Sequence, residues 1–311
     1  MSVEVRAGRL EDAAAITAVH CSEVAVWRRG GKGEPAPYEA LSLYDRWLHG
    51  GPWMSVETCA VHLNRWLRAG FLLLVAERDG EVVGEAEFVV EREPAPYGPS
   101  LHLALLIVHA SHRRQGVARA LVEAGARLAS NLGCAALTTQ PEPSAEPFYA
   151  SVGFSPWLWL REWQAPAQPL PLPVEPDPLP LAPYPTDAGL VQRVGRYQCG
   201  RQAWEELPFD LALPEHQALP WGRWRLASPG GETAWLGLKA QALEPSQADG
   251  MVWARPQADL ASLVETLQAL AARLGFGYVD LLLEEPEGHD LAAARGFAHQ
   301  TDVTLWRREV S

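Results

Sequence analysis

Apolar positions recur along this chain with two periods, and the switches between them mark out the elements. Residues 12–26 are apolar at helical spacing. Residues 71–78 and 81–90 read as apolar strands, and Asp79-Gly80 between them is a two-residue hairpin signal. A third apolar strand covers 101–109. An amphipathic helix covers 117–132 and stops at Gly133, a residue suited to a left-handed C′ position. A short strand at 135–139, a short helix at 145–151 and a closing strand at 156–163 complete a mixed α/β order.

The pattern then breaks. Residues 164–185 read QAPAQPLPLPVEPDPLPLAPYP, with proline at nearly every second or third position. Such a stretch continues neither a helix nor a central strand and favours an extended, semi-rigid form, so it reads as a linker. Beyond it much of the earlier order returns. Strands at 221–227 and 233–242 flank a second hairpin signal at 228–232. The helix containing Leu263-Val264-Glu265 ends at Gly275, as the one containing Leu121-Val122-Glu123 ends at Gly133. Arg113 is echoed by Arg255 at the same offset, and Gly153-Phe154 by Gly296-Phe297 one residue out of step. Several landmarks in one order predict a duplicated domain: 1–163 as the first copy, 164–185 as linker and 186–311 as the second.

Composition narrows the partners. The 311 residues are 48% hydrophobic, enough for two ordinary cores. A formal charge of −12 argues against nucleic acid, which would want a basic face, and leans towards a cationic small molecule. Cys21, Cys59, Cys134 and Cys199 stand far apart with no C-x-x-C spacing, so reduced thiols are expected and no metal site. Met1 to Arg6 shows no basic segment followed by an apolar run, and no stretch approaches the roughly 18 apolar residues of a membrane span. A soluble, cytoplasmic protein is expected, with no membrane partner.

Chemistry concentrates between residues 101 and 154. A buried strand runs into Arg113-Arg114-Gln115-Gly116-Val117-Ala118, where a helix begins at a glycine. Such a turn aims several backbone N–H groups into one concavity, and the helix dipole adds positive potential, which suits a pyrophosphate. Gly116 admits a close backbone approach, Ala118 stays small, and the arginines add charge. Some 30 residues on comes Pro147-Phe148-Tyr149-Ala150-Ser151-Val152-Gly153-Phe154.

Strand, R-x-x-G-x-A turn, helix, strand and F-Y-x-x-x-G-F in this order resemble the acetyl-CoA-binding core of the GNAT superfamily of N-acetyltransferases. HLALLIVHASHRRQG and PFYASVGF are particularly similar to the arylalkylamine N-acetyltransferases. The resemblance implies two tandem domains, each a twisted mixed, mostly antiparallel sheet flanked by helices, with strand 101–109 splaying from strand 135–139. Backbone groups of Leu106, Ile107 and Val108 would hold pantetheine and the thioester carbonyl in that gap, and an N–H there would meet the oxyanion. Arg113, Arg114, Gln115, Gly116, Val117, Ala118 and Arg119 would anchor the CoA pyrophosphate. Tyr149 matches the family's general acid for the departing thiolate. His102 stands where the arylalkylamine enzymes carry a proton-relaying histidine. By strand alternation it should share a face with Ala104, Leu106 and Val108. Glu85 and Glu87 on the preceding strand are the next candidates for the base. Where many relatives carry a CoA-contacting asparagine this chain has Glu142, so that contact is not carried over.

The expected reaction is acetyl transfer from acetyl-CoA to a primary amine of a small molecule, by direct attack in a ternary complex. The rivals are a CoA-binding or structural module without catalysis and an enzyme acting on a protein N-terminus or lysine. The insert at 27–70 leans towards a small acceptor. It holds two expected helices, 37–48 and 56–68, the latter capped by Ser55. Trp27, Tyr38, Tyr44, Trp47, Trp53 and Trp66 could wall an acceptor pocket, with Asp45 and Glu57 as its anionic points. In the second copy the turn reads Arg255-Pro256-Gln257-Ala258-Asp259-Leu260 and the tyrosine is missing from Leu291 to Phe297. That copy is expected to bind no CoA and to buttress the first copy or wall its acceptor cleft. Internal duplication can replace a homodimer, which tilts the reading to a monomer.

Overall fold

The computed structural model describes residues 3–172, 174–179, 182–185, 189–208, 213–227 and 233–310. The hairpin loop expected at 228–232 lies outside the described residues, as do Pro173, Pro180 and Leu181 of the proline-rich stretch. In chain order the first half comprises β1 (Glu4–Ala7), α1 (Ala13–Cys21), α2 (Leu43–Trp47), α3 (Val56–Arg68), β2 (Leu72–Arg78), β3 (Glu81–Glu91), β4 (Ser100–Val108), α4 (Val117–Asn131), β5 (Ala136–Thr139), α5 (Glu146–Ser151) and β6 (Ser155–Pro166). There follow β7 (Asp177–Pro178), β8 (Val191–Val194), α6 (Gly200–Glu206), α7 (Pro214–Gln217), β9 (Trp221–Ala227), β10 (Thr233–Ala240), β11 (Gln247–Ala254), α8 (Leu260–Arg273), β12 (Tyr278–Glu284), α9 (Glu287–Arg295) and β13 (Ala298–Glu309). No helix among the described residues is long and apolar enough to cross a membrane.

Local chemistry sets most boundaries. Asp79 and Gly80 both have positive φ, as the tight turn between β2 and β3 requires. The Ser55 hydroxyl accepts from Thr58 N and starts α3 at Val56. Gly133, at φ 68°, ends α4. The first insert helix is shorter than its apolar pattern: α2 spans Leu43–Trp47, held by a Ser42–Asp45 capping box.

The described strands form one mixed sheet in the order β1-β2-β3-β4-β5-β13-β6-β12-β8-β11-β10-β9-β7. Its centre reveals an exchange between the halves. The last strand of the chain, β13, pairs antiparallel with both β5 and β6, and β6 pairs with β12. Each half thus receives the other's closing strand, and its core receives a tryptophan with it. Trp306 of β13 is buried in the first core, under α4, while Trp163 of β6 is buried in the second core, under α8. Arg308 adds a two-pronged ion pair to Glu123 of α4, both contacts at 2.9 Å. The proline-rich stretch therefore does not divide the sheet. Its first residues, Gln164 to Pro166, are the end of β6 and pair with β12.

Both halves contain a parallel pair that parts. β4 and β5 pair from Ser100↔Ala136 to Leu103↔Thr139, and β11 and β12 from Gln247↔Tyr278 to Gly250↔Leu281. In the second half β8 enters the gap. It pairs antiparallel with β11 at Val252, Trp253 and Ala254 and touches β12 at Leu283↔Val194. No described strand enters the gap between β4 and β5.

Candidate active site

The gap in the first half opens at one residue. Ser100 to Leu103 are buried, whereas Ala104 to Ile107 are partly exposed once β5 has turned away. The edge of β4 that faced β5 is then unpaired past Leu103, and unpaired backbone groups need a partner. Leu106, Ile107 and Val108, the expected pantetheine contacts, lie in that stretch.

The turn Arg113 to Ala118 leads into α4 through left-handed backbone. Gly116, the residue before α4, has φ +87°, and Arg114 also takes a positive φ of 61°. A Cβ at Gly116 would meet no protein atom within 4 Å, and the left-handed angle by itself favours glycine here. No side chain caps this helix start. The first-turn amides of Val117, Ala118 and Arg119 therefore lack an intrahelical partner. The flanking side chains are arranged around the turn: Arg113 pairs with Glu23, Gln115 receives Arg78, and Arg119 reaches Ser151 O at 3.3 Å. Arg114 is exposed. An open strand edge beside an uncapped helix start suits a pantetheine pyrophosphate.

In the second half the same two features are closed. β8 fills the gap, and Asp259 caps α8 by accepting from Ala261 N and Ser262 N. The carboxylate occupies the amides that a phosphate would need. Sequence reading found the hostile Asp259 but carried no sign of β8.

Tyr149 stands where β4 and β5 part. It is buried on α5, between Phe148 and Phe154, and its hydroxyl bonds the Thr139 side chain. Thr139 in turn donates to Leu103 O at 3.0 Å. Burial raises the phenol above its ordinary pKa.

His102 differs from expectation in two respects. A bulge leaves Ala104 without a partner on β3, because Phe88 pairs with Leu103 and Glu87 with Leu105. One extra residue reverses the facing of all that follows. Leu106 and Val108 pack with Leu101 and Leu103 in the core under α4, and His102 faces the opposite side with Glu85, Glu87 and Val89. Both ring nitrogens are also engaged: Nδ1 with Thr138 Oγ1 at 3.0 Å, Nε2 with Gln198 Oε1 at 2.7 Å. A carbonyl oxygen only accepts, so Nε2 carries the proton and Nδ1 accepts from Thr138. That leaves no lone pair for an amine proton. Burial pushes the imidazole down to about 4.

The insert sorts into two groups. Trp47, Trp53, His62 and Trp66 line a cleft of about 1480 Å³, whose other side is lined by residues of the second half including Trp221 and Asp249. Trp27, Tyr38 and Tyr44 pack against other rings instead. Asp45 is spent on Gly30 N and on its capping box, and Glu57 is exposed outside the cleft. Among the described residues, no group of His, Cys, Asp and Glu could hold a metal ion.

Comparison with known proteins finds a family for part of the chain and a shared fold for all of it. Residues 38–154 match the model of the acetyltransferase (GNAT) family. A tandem GNAT protein from the clavulanic acid biosynthesis pathway shares the fold over 100% of this chain and 99% of its own, at 14% identity and a TM-score of 0.50. A GCN5-related N-acetyltransferase from Anabaena variabilis covers 100% of this chain with 73% of its own, at 12% identity and a TM-score of 0.56. No curated protein matches the sequence.

Proposed function

The chain belongs to the GNAT superfamily as a tandem-domain protein, and from that premise we propose that it moves an acetyl group from acetyl-CoA to the primary amine of a small molecule. The observation that carries this reading is the contrast between the two gaps: β4/β5 is open, and β11/β12 is filled by the chain itself. One acetyl-CoA per chain follows, held along Leu106 to Val108 and over the turn Arg113 to Arg119.

The amine nitrogen attacks the thioester carbon in a ternary complex, and the unpaired β4 backbone offers an N–H to the oxygen that becomes negative. The carbon–sulfur bond then breaks, and the Tyr149 hydroxyl gives its proton to the sulfur. His102 fixes the junction between β4, β5 and the second half through Thr138 and Gln198. The acceptor approaches through the cleft between α3 and the second half. The second half is the far wall of that cleft.

Calorimetric titration of acetyl-CoA tests the reading, with Gly116→Val as control. A branched side chain at φ +87° is strained by about 1–2 kcal/mol; if the turn relaxes out of the left-handed region, re-forming it on binding should weaken affinity roughly tenfold. One site per chain, weakened in the variant, together with amine-dependent thiol release, is expected. Two sites would overturn the sealed second half; no binding would overturn the reading itself.

A further inference from the structure

An amine that arrives as an ammonium ion must lose a proton before it attacks, and His102 has no place for it. The same face of the sheet carries a better-placed group. Glu85 and Glu87 project there from β3, 0% and 1% exposed. Glu87 pairs with Leu105, the residue just past the bulge where β4 has left β5. Its carboxylate therefore belongs to the strand position that adjoins the mouth of the gap.

Glu87 Oε1 is held by two ring N–H groups: Trp53 Nε1 at 3.0 Å and His62 Nε2 at 2.9 Å. Both of those rings also line the cleft. The Trp53 indole lies flat on His20, centroids 5.0 Å apart and planes 4° apart, and edge-on to His62 at 4.8 Å. His20 Nε2 in turn sits 2.5 Å from Glu85 Oε1, while Glu85 Oε2 is buried with no hydrogen-bond partner. Five side chains from α1, the turn Gly51–Met54, α3 and β3 thus form one polar layer beneath the acceptor side of the sheet.

Resting on the acetyl-transfer reading, we infer that Glu87 is the catalytic residue that takes the amine's proton, and that His62 is its positioning partner and the outlet to the cleft. The ammonium first gives one proton to Glu87, which passes it through His62 to water in the cleft; the freed nitrogen then attacks, and its second proton leaves by the same route as the nitrogen–carbon bond forms. Tyr149 supplies the proton for the sulfur and recovers it from solvent, so an amine and a thioester yield an amide and a thiol. The titratable groups around Glu87 are Glu85 on its own strand and Cys59 and His62 on α3, with His20 of α1 beyond Trp53 and Glu85, and His102 of β4 further along the same sheet face. Burial keeps His20 neutral, pushed down to about 3, and raises Glu85 well above the carboxylate range. At about 3, His20 binds protons too weakly to compete as an acceptor near pH 7.

The test compares Glu87→Gln and His62→Gln with the wild type on two acceptors, an alkylamine that is protonated at pH 7 and a fluorinated amine that is mostly neutral there. Glutamine keeps the oxygen that accepts from Trp53 and His62, and calorimetry with acetyl-CoA verifies that each variant is folded. For the alkylamine, Glu87→Gln should lower kcat/KM about 10²–10³-fold at pH 7 and recover as pH rises towards the amine's own pKa. For the fluorinated amine the loss should be less than about tenfold. His62→Gln should shift the pH profile with a smaller loss. Equal losses on both amines at every pH, or no loss, with CoA binding intact, would overturn the assignment of Glu87 alone. Thiol release by the wild type with neither amine would overturn the acetyl-transfer reading and this assignment with it.

Discussion

Burial raises the Tyr149 phenol, so it keeps its proton at neutral pH until a thiolate forms beside it. Tyr149→Phe should therefore lower kcat by about 10²–10⁴-fold while acetyl-CoA affinity changes less than about threefold. Thiol-release kinetics and calorimetry separate the two, and unchanged kcat would remove Tyr149 from the reaction. His102 leads to a stability prediction. Its folded pKa, about 4, lies below the ordinary 6.5 because burial disfavours the imidazolium. A depressed value contributes stability that is full above pH 6.5 and is lost as pH falls towards 4, about 3 kcal/mol in all. Glu93, raised to about 7 by burial, acts in the opposite sense over this window: its contribution is full below about 4.5 and fades as pH rises. The His102 effect is thus read as a difference. Melting curves of wild type and His102→Asn should converge from pH 7 to pH 4, and parallel curves would contradict it. At this scale Tyr149 and the turn residues were legible, because F-Y-x-x-x-G-F and R-x-x-G-x-A are local patterns. Gln198 was not, because nothing in its neighbourhood tells of a histidine 96 residues away.

Elements show where alternation misleads. The apolar run of β4 is read correctly as a strand, yet the bulge at Ala104 reverses which residues meet α4 and which meet α1 and α3. Period-2 reasoning carries no signal for a bulge without glycine. The start of α3, by contrast, followed from Ser55 alone. His62 and Trp66, one helical turn apart, both reach the cleft. That spacing was visible in the sequence and drew attention only to the aromatic. β8 was hidden for another reason. Four residues reading VQRV next to a proline-rich stretch have no distinguishing pattern, and their role depends on a gap formed by strands some 60 and 90 residues later.

At the scale of the whole molecule the exchange of β6 and β13 joins the halves. A buried tryptophan truncated to alanine costs about 3–5 kcal/mol. Trp306→Ala should therefore destabilise the first half's core, although Trp306 lies almost at the other end of the chain. Thermal unfolding and acetyl-CoA titration should show the melting point and the apparent CoA affinity falling together. An unchanged affinity at the temperature where stability is lost would mean that the halves are energetically separable. The sequence by itself determined most of the elements, their duplication and the local motifs at 113–118, 148–154 and 255–260, because each is written within a few dozen residues by periodicity, caps and motif spacing. Only the tertiary structure decided which strand closes which half, what fills the second gap, which way His102 faces and what meets Glu87. Those outcomes depend on backbone hydrogen bonds and packing between residues far apart in the chain, and such pairings leave no local trace.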